Sequence, residues 1–294
     1  MRAAIRLIVT IVLFGAFGLF SVDRAFSDLV VPSERVSVGV NVRERPNANS
    51  LILDVLTPGE QLEYVGSVPG WHEVILDDGR HGFVSKSWTV VRPSGTATGT
   101  VTIDVVDVGT GLAIVIRSDQ FAVIYDGGSN DDLARGDSNR FLSFLRSQHS
   151  DLQMIDHLIL SHPHRDHVEL LPDLIVTYQV RHFWDSGAVN DICGYRAFIQ
   201  AISQKAQAVY NSALFNFGNH PITFAAKTCY GQYLPAANIS LPHGSKINHD
   251  PIVLGLGTSM TFLHADGSKH PDFNENSIVM RLDFGQNRIL FMGC

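Results

Sequence analysis

The sequence predicts an α+β protein of two unequal parts, a small β-barrel followed by a larger mixed domain. Three observations carry this. Residues 37–92 hold five or six short strand-like runs separated by Pro, Pro-Gly and Asp-Gly turns. Residues 93–100, "PSGTATGT", are small and polar and read as a linker. From Val101 onward, apolar β-type runs alternate with stretches at helical spacing. A length of 294 residues suits two domains. Apolar residues at 45% and charged residues at 17% give enough apolar material for full cores and argue against disorder.

The first 27 residues stand apart. "MRAAIR" is a short basic start, and Leu7–Val22 is an apolar run of 16 residues. As a helix that run spans roughly 24 Å, short of the ~30 Å of a bilayer core. It suits a secretory signal, with Ala25-Phe26-Ser27 as the small-x-small cleavage pattern. The alternative is an uncleaved N-terminal anchor. Either reading sends the rest of the chain out of the cytoplasm, to the periplasm or beyond, free or anchored at the inner membrane.

In the barrel, "VSVGVNVRERP" ends in a Pro turn and "ILDVLTPGEQLEYVG" alternates around Pro58-Gly59. Asp78-Gly79 joins two strand-like runs as a hairpin signal. These features, with Gly70-Trp71 and "DGRHGFVSKSWT", resemble the bacterial SH3 domain family. That resemblance implies peptidoglycan contact or a spacer role, with Trp71 as ligand contact or as core.

In the second domain, Val101–Val106, Leu112–Ile116 and Phe121–Tyr125 read as strands. Phe141, Leu142, Phe144 and Leu145 mark a helix, and Ile155–Leu160 reads as a buried strand. Residues 193–210 read as an amphipathic helix and 211–250 as polar and irregular. "SMTFLHA" and "NSIVMRLDFGQNRILFMG" read as strands, the latter a hairpin. Cys193 and Cys229 can pair in an oxidising compartment; spacing leaves the point open.

The stretch "LSHPHRDHVELL" follows the buried strand at once and gathers His162, His164, Asp166 and His167 within six positions. A strand end holds one side of such a loop and leaves the other open. Imidazole suits zinc, and carboxylate suits zinc, manganese or iron. Two such ions can hold a hydroxide between them and lower its pKa. The bland alternative is a set of surface histidines that takes up stray metal. Of 13 histidines in the chain, 11 follow residue 100, so metal-capable chemistry is concentrated in this domain.

The His-x-His-x-Asp-His run resembles the metal motif of the metallo-β-lactamase superfamily. "DVVDVGTGLAIVIRSDQFAVIYDGGS", with its Asp126-Gly127-Gly128 turn, and the Asn-x-x-Ser hairpin "NENSIVMRLDFGQNRILFMG" resemble its ComEC-type subgroup. The resemblance covers residues 101–294 and implies an αββα sandwich with two divalent ions, Zn2+ foremost, with Mn2+ or Fe as the alternatives. It implies hydrolysis of an ester, amide or phosphodiester by a metal-bound hydroxide. His162 and His164 would hold the first metal, and Asp166 and His167 the second. Asp166 would also orient the water and help protonate the leaving group.

Three features depart from the family pattern. Val168-Glu169 stands where a Gly-Gly step is usual. No histidine falls in register before the hairpin to serve as third ligand of the first metal, which leaves His264, His270 and Asp272 as candidates, His270 foremost. The hairpin runs into Gly293-Cys294 where a Gly-Asp would supply the bridging carboxylate, so Cys294 is the candidate there, as a thiolate. The expectation is an incomplete sandwich, truncated at its C-terminus. The competing expectation is a degenerate domain retained for binding, which would make the chain a cell-wall binding protein.

Net charge is −7, with no basic footprint for nucleic acid, so duplex DNA is disfavoured as partner. A small-molecule or envelope-linked ester or phosphodiester is the expected substrate. Nothing beyond the shared motif points to a β-lactam.

Overall fold

The structure is a computed structural model that describes residues 5–10, 28–33, 35–92, 99–131, 135–214, 221–242, 244–255, 257–285 and 287–293. Of the expected leader, only the backbone of β1 (Ile5–Thr10) is described, as a strand; the rest of residues 1–27 lies outside the described residues, as does most of the linker (93–98).

The N-terminal module is an antiparallel sheet of β2 (Leu29–Pro32), β3 (Val40–Arg43), β4 (Ile52–Leu56), β5 (Leu62–Val68), β6 (Trp71–Ile75), β7 (His81–Ser85) and β8 (Thr89–Arg92). The strand order is β4-β3-β7-β6-β5-β2-β8. Alternate residues point inward, so Val42, Val74 and Val84 pack in a core with Val30, Leu56 and Leu62. Asp78-Gly79 turns β6 into β7 with Gly79 at φ +82°, a left-handed conformation that suits glycine. Leu29–Pro32, outside the barrel in the sequence reading, pairs with both β5 and β8.

The second domain opens with β9 (Thr100–Val105), β10 (Ala113–Arg117), β11 (Ala122–Gly127), α1 (Arg140–Gln148) and β12 (Met154–Leu160). It continues through α2 (Arg165–Val168), α3 (Leu171–Thr177), β13 (Gln179–Asp185), α4 (Cys193–Ser203) and β14 (Val209–Ser212). Two small ribbons follow, β15 (Ile222–Phe224) with β18 (Ala237–Ile239), and β16 (Lys227–Cys229) with β17 (Gln232–Leu234). The last strands are β19 (Ile252–Gly255), β20 (Thr258–His264), β21 (Val279–Phe284) and β22 (Asn287–Met292).

One sheet runs β1-β9-β10-β11-β12-β13-β14, antiparallel up to β11 and parallel from there. The other runs β19-β20-β21-β22, all antiparallel. Neighbouring residues of the central strands serve opposite cores. Ile124, Leu158 and Phe183 face α1, α3 and α4, through Phe141, Leu145, Leu174, Phe198 and Ile202. Val123, Ile159 and Trp184 face the second sheet, through Met260, Phe262, Met280 and Leu282. The domain is therefore layered helix, sheet, sheet among the described residues. Burial on both faces explains why β11 and β12 read as continuous apolar runs instead of alternating ones.

The sequence reading of a helix over 193–210 is corrected. The helix stops at Ser203, and Val209–Ser212 pairs in parallel with β13. A turn between them, with Ala208 N donating to Lys205 O, lets Val209 and Tyr210 extend. Sheet pairing there overrides helical spacing. Cys193, at the start of α4, is joined to Cys229 by a disulfide with Cα atoms 5.5 Å apart.

Candidate metal centre

The parallel strands β11, β12 and β13 end on one edge of the sheet, where β-α loops are free to carry a site. Asp126 is the last residue but one of β11, Ser161 follows β12, and Asp185 ends β13. Asp126 is fully buried at φ +59°, a strained conformation for a residue with a side chain. Three donors hold it there: Ser161 N, Ser161 Oγ and His167 Nδ1, each 2.7 Å from a carboxylate oxygen. Burial pulls the His167 imidazole down, but the hydrogen bond to Asp126 and its charge outweigh this and raise it above the usual histidine value. Nδ1 turned to Asp126 directs Nε2 toward Asp166, whose Oδ2 is 3.8 Å away.

His162 is fully buried. Its Nδ1 lies 3.0 Å from Ser161 Oγ and 3.2 Å from Ser277 Oγ. A hydroxyl at Nδ1 leaves Nε2 to face His164 Nδ1 at 3.0 Å. Burial, then the neighbouring His167 and His164, hold His162 down to about 3, so its ring is neutral and able to ligate at ordinary pH. His164 caps α2, its carbonyl accepting from His167 N and Val168 N. Gly111, at φ +107°, brings its turn against Asp166: a Cβ there would stand 1.8 Å from Asp166 O.

Glu169, unexpected at its position, is buried and well supported. Arg135 Nη2 lies 2.5 Å from Oε1, Tyr230 Oη donates to the same oxygen at 2.6 Å, and Arg165 approaches Oε2. Tyr230 directly follows the disulfide cysteine Cys229, so the bridge ties this clamp to α4.

His162, His164, Asp166 and His167 thus come together as two pairs. Among the described residues no group of three or more His, Cys, Asp or Glu is gathered closely enough to hold a metal ion. The other candidates lie apart from the pairs or beside them. His270 is turned to Asp266 Oδ2 (2.7 Å) and Glu275 Oε2 (3.1 Å). His264 Nε2 lies 3.4 Å from the carbonyl of Glu275. Asp272 Oδ1 is 3.9 Å from His164 Nε2. Cys294 lies outside the described residues; its neighbour Gly293 packs so closely that a Cβ would stand 2.3 Å from Ser161 Oγ.

The sequence reading missed Asp126, Ser161, Asn274 and Ser277 as site residues. Asp126 and the Asn-x-x-Ser segment are visible in the sequence as turn and hairpin motifs, but nothing in either pattern marks its side chains as partners of the histidine cluster. Ser161 carries no signal of its own.

Fold and site together define a two-sheet sandwich with a histidine–aspartate cluster at its strand ends. The family described as the Metallo-beta-lactamase superfamily matches residues 106–294, and the Bacterial SH3 domain family matches residues 38–90. The chain belongs to the metallo-beta-lactamase superfamily, with a bacterial SH3 domain ahead of that domain. Comparison with curated proteins finds no match.

Solved structures that resemble it include MEM-A1, a subclass B3 metallo-beta-lactamase isolated from a soil metagenome library. It is 14% identical with TM-score 0.35, over 67% of this chain and 60% of that one. Metallo-beta-lactamase SMB-1, in a complex with mercaptoacetic acid, is 13% identical with TM-score 0.34, over 67% and 62%. MIM-1 from Novosphingobium pentaromativorans is 13% identical with TM-score 0.33, over 69% and 60%. This chain thus spans 60% to 62% of the length of these structures.

The superfamily commonly binds zinc, and the donors here fit divalent ions. Two nitrogens on one tetrahedral zinc stand about 3.3 Å apart for bonds of about 2.0–2.1 Å. His162 Nε2 and His164 Nδ1, 3.0 Å apart, are close to that spacing. The Asp126 contact to His167 matches the carboxylate–histidine support that metal-ligating imidazoles need.

Proposed function

We propose that this chain is an exported metal-dependent hydrolase that acts on a phosphodiester or ester. The observation that carries the reading is the paired arrangement of His162 with His164 and Asp166 with His167, braced by the buried Asp126. His162 and His164 would hold one divalent ion, and Asp166 and His167 a second. Bound ions of this kind supply Lewis acidity and an activated water. The chain's own groups do the rest. Asp126 fixes the His167 ring so that Nε2 faces the site, and Ser161 and Ser277 fix His162. Asp166, partly exposed, is placed to orient water and to pass a proton to the leaving oxygen. The choice of a phosphodiester rests on likeness to the ComEC-type subgroup alone. Turnover of bis(p-nitrophenyl) phosphate and of p-nitrophenyl esters by the metal-loaded chain tests it. Activity should vanish on chelation and with His162→Ala or Asp166→Ala; activity that survives both changes would contradict it.

A second reading has its own observation. A cavity of about 470 Å³ in the SH3 module is lined by Arg35, Arg43, Trp71 and Trp88, among others. The Arg35 guanidinium stacks over the exposed Trp88 at 5.6 Å. Cations beside aromatic faces suit a peptide bearing carboxylates. This supports contact with cell-wall peptide, with the hydrolase domain held at the wall or, if inert, kept only for binding. Peptidoglycan sedimentation of the full chain, weakened by Trp88→Ala, is the expected result; equal sedimentation would remove the pocket from the account.

The bacterial SH3 domain and the Cys193–Cys229 disulfide point to an extracytoplasmic location. No helix among the described residues is long and apolar enough to cross a membrane. The finer placement we propose is the periplasm or the exterior, free or anchored through the N-terminal segment.

A further inference from the structure

Among the described residues, no third histidine is gathered with His162 and His164 closely enough to share a metal ion with them. What stands beside the pair instead is an amide. Asn274 Oδ1 lies 3.0 Å from His164 Nδ1, the same nitrogen that is 3.0 Å from His162 Nε2. One nitrogen of His164 therefore stands 3.0 Å from both the His162 nitrogen and the Asn274 oxygen.

The orientation of the amide is built, not incidental. Asp272 caps the short 3-10 turn Phe273–Asn276 and accepts from Asn274 N at 2.9 Å. Its other oxygen accepts from Asn274 Nδ2 at 3.3 Å. With the NH2 group engaged on Asp272, the carbonyl oxygen is the end presented to His164. Phe273 packs edge-on against the His164 ring at 5.7 Å. The segment is also pinned to the strand end that carries His162. Ile278 N donates to Ser161 O at 2.9 Å, and Ser277 Oγ touches His162 Nδ1. The turn that carries Asn274 therefore moves with the histidine loop.

We propose that the side-chain carbonyl of Asn274 is the third protein ligand at the His162–His164 position, in place of a histidine, and that it tilts this position from zinc toward a harder ion such as Mn2+. An amide oxygen is a harder donor than imidazole, and carbonyl and carboxylate donors suit manganese better than imidazole does. The inference rests on the metal-dependent reading above, and it names a residue and a preference that the reading does not contain.

The test is binding of Mn2+ and Zn2+ to the full chain by equilibrium dialysis, with the Mn2+ signal followed by electron paramagnetic resonance. Asn274 is exposed, so Asn274→Ala should keep the fold, and its melting temperature checks that. Asn274→Ala should weaken one Mn2+ site by about tenfold or more. Asn274→His should raise the preference of that site for Zn2+ over Mn2+ by about the same factor. His162→Ala is the reference that removes the site. If His162→Ala loses an ion while Asn274→Ala binds both metals as the wild type does, Asn274 is not a ligand and the functional reading survives. If the wild type itself holds no divalent ion, both fall together.

Discussion

Asp126 Oδ2 lies 2.7 Å from His167 Nδ1, and both residues are buried. Asp126 gives up a relaxed backbone to stand there, at a cost of about 1–3 kcal/mol for its left-handed conformation. The same carboxylate binds Ser161 through both backbone and hydroxyl, so one strained residue sets the start of the histidine loop and its last imidazole.

Asp126→Asn tests that role cleanly, because asparagine tolerates a left-handed backbone. The amide removes one acceptor oxygen and the negative charge that faces His167. Metal affinity should fall about 10- to 100-fold, with a smaller change in melting temperature. Calorimetric titration with Zn2+ or Mn2+ reads the first quantity, and unchanged affinity would deny Asp126 a supporting role.

Gly111→Ala should destabilise the domain by about 1–3 kcal/mol, because the residue sits at φ +107° with Asp166 O where its Cβ would be. Relief requires the 109–111 turn or the Asp166 backbone to move. Loss of metal affinity beyond what the denaturation midpoint explains would show that Asp166 has shifted. A fully wild-type variant would contradict the close approach.

His157 gives a pH dependence away from the candidate ligands. It is buried between His182, stacked at 5.0 Å, and Trp184, whose Nε1 donates to its Nδ1 at 3.0 Å. Burial, then the charges of His182 and Arg181, push it down to about 3. A protonated ring would lose the Trp184 hydrogen bond. The folded value lies below the unfolded one of about 6.5, so the unfolded chain binds the extra proton. The stabilisation is therefore present above pH 6.5 and is lost as pH falls toward 3, at up to about 1.4 kcal/mol per pH unit. His72, buried in the SH3 module and held down to about 4 by burial and then by Lys86, acts in the same sense. Chemical denaturation between pH 7.5 and 4.5 should show this slope, and His157→Gln should flatten it by about one proton. An identical slope in the variant would contradict a neutral buried His157.

The disulfide closes a separation of 36 residues between α4 and the β16–β17 ribbon. Chain entropy assigns such a closure about 3–4 kcal/mol. Cys193→Ser with Cys229→Ser, or reduction, should lower stability by about that amount and loosen Tyr230 from Glu169. Protease nicking within 211–242 would report the loosening; equal resistance in both forms would mean that the ribbon is held without the bridge.

Much of this was legible in the residues. Strict alternation and Asp-Gly punctuation revealed the barrel strands, and the apolar run Ile155–Leu160 placed the histidine loop at a strand end. Leu29–Pro32 does not stand out in the sequence, because a four-residue run carries almost no pattern and its partners β5 and β8 lie more than 30 and 50 positions on. Val209–Ser212 was read as helix because its partner β13 lies far back in the chain, and only that pairing makes it a strand. At the site, the four clustered residues announced themselves by type and spacing. Asp126 and Asn274 did not, since a lone carboxylate or amide gains meaning only from what folding brings against it. Glu169 looked like a misfit by family pattern; Arg135 and Tyr230, more than 30 and 60 positions away, supply its partners.

The most direct measurement is the metal content of the exported, purified chain by plasma mass spectrometry, beside His162→Ala. The account predicts about two divalent transition-metal ions per chain, with about one lost in the variant. Well below one ion per chain, unchanged by His162→Ala, would contradict a metal centre here and leave the SH3 module as the working part of the protein.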